Sequence, residues 1–139
     1  MRNLICIIAF AAALFLGVPA CAQQAGPYTY QTLASTNSTL VRGSRTVIKS
    51  LLPINTTSVI YYLKFYNKAT TPTCGTDTPV WVVPIPFGSG GSGGGVALTI
   101  PDGLFFNLGL GFCVTGGIAN TDTTPAATGV VVNLGISGY

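Results

Sequence analysis

Histidine and glutamate are absent from the 139-residue chain, and the formal charges are six basic and three acidic residues. The lack of histidine excludes Ser-His-Asp and Cys-His nucleophiles and His-ligated zinc sites. A glycosidase carboxylate pair would have to come from Asp77, Asp102 and Asp122. A net charge of +3 is too small for a surface that neutralises many phosphates of duplex nucleic acid. We therefore expect a non-catalytic protein without a metal site, a cofactor or a duplex nucleic acid partner.

Residues 1–22 have the pattern of a secretory signal. Arg2 gives a positive start, and an uncharged run of h-region length follows. Ala20-Cys21-Ala22 fits cleavage before Gln23, which leaves 139 less 22, or 117, residues. The alternative is a lipoprotein signal, in which Cys21 becomes the acylated N-terminus. Both interpretations predict an exported protein, in the periplasm, outside the cell or on a cell or virion surface, with no transmembrane segment in its mature chain.

The mature residues favour an all-β fold. Seventeen glycines and eighteen threonines make up 35 of the 117 residues, and threonine favours strands while glycine serves turns. After the signal helix, we predict an N-terminal arm or edge strand over residues 23–40 and one antiparallel domain over residues 41–139. This domain is expected to be a β-sandwich or jelly-roll-like barrel of about seven or eight short strands. The predicted strands cover residues 46–52, 59–66, 80–85, 96–100, 104–107, 111–115 and 130–136.

Prolines and glycines mark the ends of these strands. Pro84 and Pro86 lack a backbone donor, so the strand over residues 80–85 is expected at a sheet edge or to end there. Ile100-Pro101-Asp102-Gly103 predicts a turn between two strands. Residues 88–95 contain only glycine and serine and lack the Lys-Ser/Thr ending of a phosphate-binding loop, which predicts a flexible connection between strands.

Two cysteines, Cys74 and Cys113, remain after the predicted cleavage. An even number in an exported chain favours a disulfide, which would contribute about 3–4 kcal/mol for a loop of this length. Cys113 alternates with Phe112 and Val114, so strand parity can place it on the outer face, within reach of a loop that carries Cys74. The alternative is two free thiols, and the lack of a C-x-x-C motif argues against a redox site.

Tyr62, Lys64 and Tyr66 share one face of the predicted strand over residues 59–66. We expect this face to point outward, because a lone lysine resists full burial. Two aromatic rings beside a cation make it the candidate binding face, suited to sugar rings, bases or a protein interface. The alternative is that the row packs under the N-terminal segment.

Other conspicuous polar and aromatic residues have structural interpretations. Trp81 shares a strand face with Val83 and Ile85 and is expected in the core. Asp77 and Asp122 stand between threonines with a proline within three positions, which is typical of Asx-turns, with a calcium site as the alternative. The tripeptides at residues 37–39 and 55–57 satisfy the N-glycosylation pattern, which matters in a eukaryotic secretory pathway.

Several turn motifs resemble those of a known group of proteins. The motifs are the run from Tyr62 to Val80 and the segments Val83–Pro86, Pro101–Gly103, Thr115–Gly117 and Asn120–Thr124. Over about residues 40–136 the chain is similar to small β-rich proteins encoded in structural modules of tailed phages and prophages. Most of those proteins have no assigned role, and the roles usually suggested for them, which the resemblance implies here, are decoration or fibre-associated functions. Those proteins generally lack an export signal and have small or aliphatic residues at the two cysteine positions, which implies an exported, oxidised version of the fold here.

These observations predict a non-catalytic exported structural or interaction protein. It would be virion-associated, as a decoration or fibre-like component, or a cell-surface subunit. We expect it to associate with itself or with another structural protein, because a neutral surface rich in threonine and glycine associates readily. The alternative is a secreted carbohydrate-binding or adhesion module that binds a glycan through Tyr62 and Tyr66.

Overall fold

The computed structural model describes residues 26–88 and 92–138, so the predicted signal helix and residues 89–91 of the glycine-rich loop lie outside it. Every regular element of the described residues is a strand, which confirms the all-β prediction. The strands of the described part are β1 (Gly26–Gln31), β2 (Thr39–Arg42), β3 (Thr46–Asn55), β4 (Tyr61–Asn67), β5 (Trp81–Ile85), β6 (Gly94–Gly95), β7 (Leu98–Phe106), β8 (Leu110–Thr115) and β9 (Val130–Gly138).

The strands form two antiparallel sheets. The five-stranded sheet has the order β1-β9-β3, and both β6 and β7 pair with the other side of β3. The four-stranded sheet has the order β2-β8-β4-β5. One apolar cluster contains inward side chains from both sheets, so the sheets pack on each other in a sandwich-like arrangement.

Alternating side chains build this core. In β4, Leu63 and Phe65 are 0% exposed, and the predicted alternation of β9 places its even-numbered apolar residues inward. Trp81 stacks on Phe65 with ring centroids 5.3 Å apart, at the margin of the core. The buried members of the cluster are Ile48, Leu51, Tyr61, Leu63, Phe65, Val83, Ile85, Phe106, Leu110, Phe112, Val114, Ala126, Val130, Val132 and Leu134.

The predicted turn at residues 100–103 does not separate two strands. Within β7, Leu104 pairs with Ile48 and Thr99 pairs with Ser50, so residues 100–103 bulge out of the ladder. Gly103 supplies the positive φ of 81° that the bulge requires. The prediction of a strand break was wrong, because the chain continues along β3 in the same direction on both sides of the bulge.

A proline lies within the central strand β3, which runs three residues past its predicted end. Thr56 N–H donates to Gly129 C=O, and antiparallel bonds alternate along a strand, so Pro53 directs its nitrogen away from β9. On that side the neighbouring chain is interrupted between β6 and β7, and Val96 N–H donates to the Pro53 carbonyl at 3.3 Å. Pro53 therefore removes no bond from the β3–β9 ladder.

Two predictions concern the sheet edges. β5, which contains Pro84, is the last strand of its sheet, as its prolines predict. Within the predicted arm, Gly26–Gln31 forms β1, which lies at the edge of the five-stranded sheet beside β9. In the glycine-rich loop, Gly94 and Gly95 pair with β3 as the two-residue strand β6.

Candidate functional site

Tyr62, Lys64 and Tyr66 lie on the side of β4 that faces away from the core, as their spacing predicts. Their expected exposure was wrong: Lys64 is 0% and Tyr66 1% exposed, and Tyr62 is half-buried. Residues 68–80 and 116–129 form loops that contact this side of the four-stranded sheet. We call the side that carries these three residues and Cys113 the covered face. The row is therefore closed off and does not form an exposed aromatic ladder.

Residues 116–129 close over Lys64. The Lys64 ammonium donates to Ala119 C=O at 2.6 Å and to Asp122 C=O at 3.4 Å. Burial lowers the pKa of Lys64, while the Asp122 carboxylate acts to raise it. The expectation that a lysine stays outside fails here because the loop brings carbonyl groups and a carboxylate to its ammonium. Lys64 therefore anchors the loop of residues 116–129 to β4.

Residues 68–80 close over Tyr66. Pro72 packs directly on Gly111, the β8 residue that pairs with Tyr66, and a Cβ on Gly111 would lie 2.7 Å from Pro72 Cδ. The buried Tyr66 hydroxyl has no hydrogen-bond partner among the described residues. Burial raises the pKa of Tyr66, and the Asp77 carboxylate adds to this effect. Because Gly111 has no side chain, Pro72 and the rest of this loop can contact the sheet beside Tyr66.

Cys74 and Cys113 form a disulfide with Cα atoms 6.0 Å apart, which confirms the predicted bridge. Cys113 pairs with Lys64 across the β4–β8 ladder and lies on the covered face, as strand parity predicts. The bridge ties the loop of residues 68–80 to β8 in the interior of the four-stranded sheet. A disulfide is consistent with an oxidising, exported compartment.

Two carboxylates stabilise the same two loops. Asp77 accepts a hydrogen bond from the Lys68 ammonium at 2.6 Å, which lowers the pKa of its carboxyl. Asp122 accepts from Gly117 N–H at 2.9 Å and from Thr124 N–H at 3.1 Å, the second bond closing the predicted Asx-turn. Burial acts to raise the pKa of the Asp122 carboxyl, but these donors lower it overall. Both carboxylates are occupied by donors of their own loops.

The outward side of the five-stranded sheet carries two adjoining hollows, of about 440 Å³ and about 270 Å³. We call this side the open face. The two hollows share Pro27 and Gly135, and the smaller one adds Lys49. The residues that define the open face are Pro27, Ser50, Leu52, Thr99, Asn133 and Gly135.

The open face is a surface suited to contact, and its lining residues include few reactive groups. Of the described residues that line the hollows, Lys49 alone is charged, and none is a carboxylate or an aromatic residue. The Asn133 amide accepts from the Thr29 hydroxyl at 3.0 Å and donates to Leu52 C=O at 3.0 Å, which links β1 to β3 across β9. A paired acid and base, as hydrolysis needs, is therefore not assembled from these lining residues.

Both N-glycosylation patterns fall on buried asparagines. Asn37 is 3% and Asn55 0% exposed. The Asn55 amide donates to Val59 C=O at 2.8 Å and to Ile85 C=O at 3.2 Å, and the Asn37 amide donates to two carbonyls of its own turn. Glycosylation uses these same amide nitrogens, so neither is accessible for it in the folded chain.

Sequence reasoning did not find the open face. The alternation of β9 does place Asn133 and Gly135 outward, and their small or polar side chains on a strand of this length are the available signal. Ser50 and Thr99 join them only because β9 pairs with β3 and β3 pairs with β7. Those pairings connect distant parts of the chain, and residue patterns do not specify them.

Among residues 26–88 and 92–138, Cys and Asp side chains form no group of three that could hold a metal ion. The same residues include no helix of the length and hydropathy that crossing a membrane requires. No protein-family model, curated protein or solved structure matches the chain.

Proposed function

We propose that the mature chain is a non-catalytic, exported structural or interaction protein that associates with itself through its five-stranded sheet. It would serve as a virion-associated decoration or fibre-like component or as a cell-surface subunit. The observation that carries the proposal is the open face, whose lining residues are apolar or uncharged polar apart from Lys49. Few charged groups have to lose water when such a surface is buried, so contact with another protein surface costs little desolvation.

The distribution of charge supports the same proposal. Of the eight charged residues in the mature chain, Lys64, Lys68, Asp77 and Asp122 belong to the covered face or its loops. There they bond to loop carbonyls, to loop N–H groups or to each other. These charges stabilise one side of the molecule, and the open face on the other side stays almost neutral. The resemblance of the turn motifs to those of phage structural proteins agrees with this proposed role.

Carbohydrate binding through Tyr62 and Tyr66 has less support. Tyr66 is 1% exposed, and a ring must be accessible to stack on a sugar. A glycan array on the mature protein addresses this alternative. Binding that Tyr62→Ala abolishes would favour the carbohydrate-binding module over the structural protein.

The assembled state of the mature chain tests the proposal. We expect light scattering after size-exclusion chromatography to find oligomers whose fraction grows with protein concentration. Leu52→Lys places a charge on the open face and is expected to weaken assembly, whereas Ile118→Lys, at a 64% exposed loop residue, is the control. A strictly monomeric protein at high concentration overturns the proposal.

A further inference from the structure

The edge of β1 lends itself to a specific mode of self-association. β1 pairs with β9 on one side and, within the described residues, with no strand on the other. We propose that a second copy of the chain pairs with this edge, antiparallel across a two-fold axis, so that two five-stranded sheets form one continuous sheet. This inference rests on the proposed self-association and adds a contact through the edge of β1 to the contact through the open face.

The hydrogen bonds of β1 identify which backbone groups are available. Thr32 N–H donates to Val130 C=O at 2.9 Å, which continues the β1–β9 register by one pair. Antiparallel pairs alternate between bonded and non-bonded positions, so Tyr28 and Tyr30 bond to β9. The backbone N–H and C=O groups of Thr29 and Gln31 consequently point to the free edge.

Pro27 obeys the same alternation. It is an odd-numbered residue of β1, so its nitrogen points to the free edge and no bond to β9 is lost. Its carbonyl remains as an acceptor. A second copy therefore meets donors at Thr29 and Gln31 and acceptors at all three residues.

The other edge strands of more than two residues carry features that discourage pairing with a further strand. β5 contains Pro84. β2 is four residues long, has a register shift and contains Arg42. β7 is interrupted by the bulge at residues 100–103. Proline, charge and bulges are the usual protections of an edge strand. β1 has neither a charged residue nor a bulge, and its one proline, Pro27, is the second residue of the strand and leaves Thr29 and Gln31 available.

A second copy of the chain presents backbone groups that match this edge. Across a two-fold axis, the free N–H and C=O groups of β1 in one copy face the same groups of β1 in the other, so each donor meets an acceptor.

The proline also restricts the register of the pair. If Pro27 lay opposite a backbone carbonyl of the other copy, that carbonyl would receive no hydrogen bond, because proline has no N–H. With the two-fold axis at Tyr30, Thr29 faces Gln31 of the partner subunit and both donors are used. Pro27 then lies beyond the end of the paired segment. The open faces of the two copies become continuous, with the hollows at Pro27 close to the junction.

Thr29→Pro tests this geometry in the mature chain. The substitution removes the N–H at the free edge, and by the alternation above it leaves the β1–β9 bonds intact. We expect the dimer dissociation constant to rise about tenfold or more, because a hydrogen bond is lost at two symmetric positions. Thr29→Val is the matched control: it keeps the N–H, loses the hydroxyl that bonds Asn133 and should change the constant less than about threefold.

Amide exchange followed by NMR gives an independent readout. The amides of Tyr28 and Tyr30 should be protected at every concentration, whereas those of Thr29 and Gln31 should become protected only as dimer forms. Oligomers that persist in Thr29→Pro, or fast exchange at Thr29 and Gln31 in assembled protein, overturn the edge pairing and leave the proposed function standing. A wild-type protein that stays monomeric overturns both.

Discussion

Lys64 combines a charged terminus with a fully buried stem. Its ammonium lies 2.6 Å from Ala119 C=O, and burial lowers its pKa. Lys64→Ala removes both packing and charge, so we expect it to lower the free energy of unfolding by about 2–4 kcal/mol. Lys64→Met keeps most of the volume and removes the penalty for burying a charge, and it should recover more than half of that loss. Urea unfolding of the two variants measures the difference, and equal losses would show that the charge rather than the packing dominates.

Asn55 is a second buried polar residue with a defined energetic role. Its amide donates to two carbonyls, and its oxygen accepts from Thr57 N–H at 2.9 Å. We expect Asn55→Ala to destabilise the fold by about 2–3 kcal/mol, because buried backbone groups lose their partners. Asn120→Ala, at an exposed loop position, should stay within about 0.5 kcal/mol of wild type. Chemical denaturation compares the two, and similar losses in both variants would contradict this account.

The disulfide acts on an element, the loop of residues 68–80. It joins residues 39 positions apart, and closing a loop of that size restricts the unfolded chain. We expect reduction to lower the free energy of unfolding by about 3–4 kcal/mol while the far-ultraviolet circular dichroism of the sheets is retained. Denaturation with and without a dithiol reductant provides the measurement. Complete loss of β-structure on reduction would mean that the bridge is needed for the sandwich itself.

The bulge in β7 depends on one glycine. Gly103 has φ 81°, and a Cβ there would lie 2.3 Å from Val47 Cγ1. We expect Gly103→Ala to destabilise the protein by about 1–3 kcal/mol, because it combines backbone strain with a clash. Gly93→Ala is the control, since a Cβ there would meet the Ile54 side chain at 3.3 Å. Thermal unfolding of both variants tests this, and equal melting temperatures would refute it.

Local patterns predicted the strands better than their pairing. Alternation correctly placed the apolar residues of β4 and β9 in the core, because a period of two reflects backbone geometry alone. The turn at residues 100–103 and the strand end before Pro53 were misjudged, because both depend on what the neighbouring strand does. Pro53 is tolerated in a central strand only where the adjacent chain is interrupted.

The sequence predicted the candidate site less well than it predicted the fold. The sequence identified Cys74 and Cys113 correctly and placed Tyr62, Lys64 and Tyr66 on one face of a strand. It failed on burial, since no local pattern reveals that a distant loop supplies carbonyl partners for Lys64. The open face was missed for the same reason, because its residues come from strands that pair over long separations.

The stability of the whole molecule should depend on pH in acid and be nearly independent of pH around neutrality. The chain has no histidine, so no side chain has an ordinary pKa between about 5 and 8. The pKa of the Asp77 and Asp122 carboxyls lies below its ordinary value of 3.8 in the folded state. A lowered acid pKa contributes stability above the unfolded value, and that contribution is lost as pH falls through the folded value.

We therefore expect the free energy of unfolding to be flat from about pH 5 to 8 and to fall below about pH 4. Asp122→Asn should lower the free energy of unfolding at neutral pH. It should also flatten the acid part of the curve of that free energy against pH. Asp77→Asn removes the other carboxyl whose pKa is lowered and should flatten the same part of the curve. Urea unfolding at a series of pH values measures these curves, and an unchanged acid slope in Asp122→Asn would argue against the role of that carboxylate.

The position of β9 constrains the order of events during synthesis. It is the last strand of the described residues, yet it lies between β1 and β3, at the centre of the five-stranded sheet. A growing chain therefore carries β1 and β3 with no partner between them until residues 130–138 have been made. Pairing over such separations is slow, and the incomplete chain cannot form this sheet while it is still on the ribosome. The five-stranded sheet is therefore completed only after the rest of the described chain has been made, and its closing step is the insertion of β9 between β1 and β3.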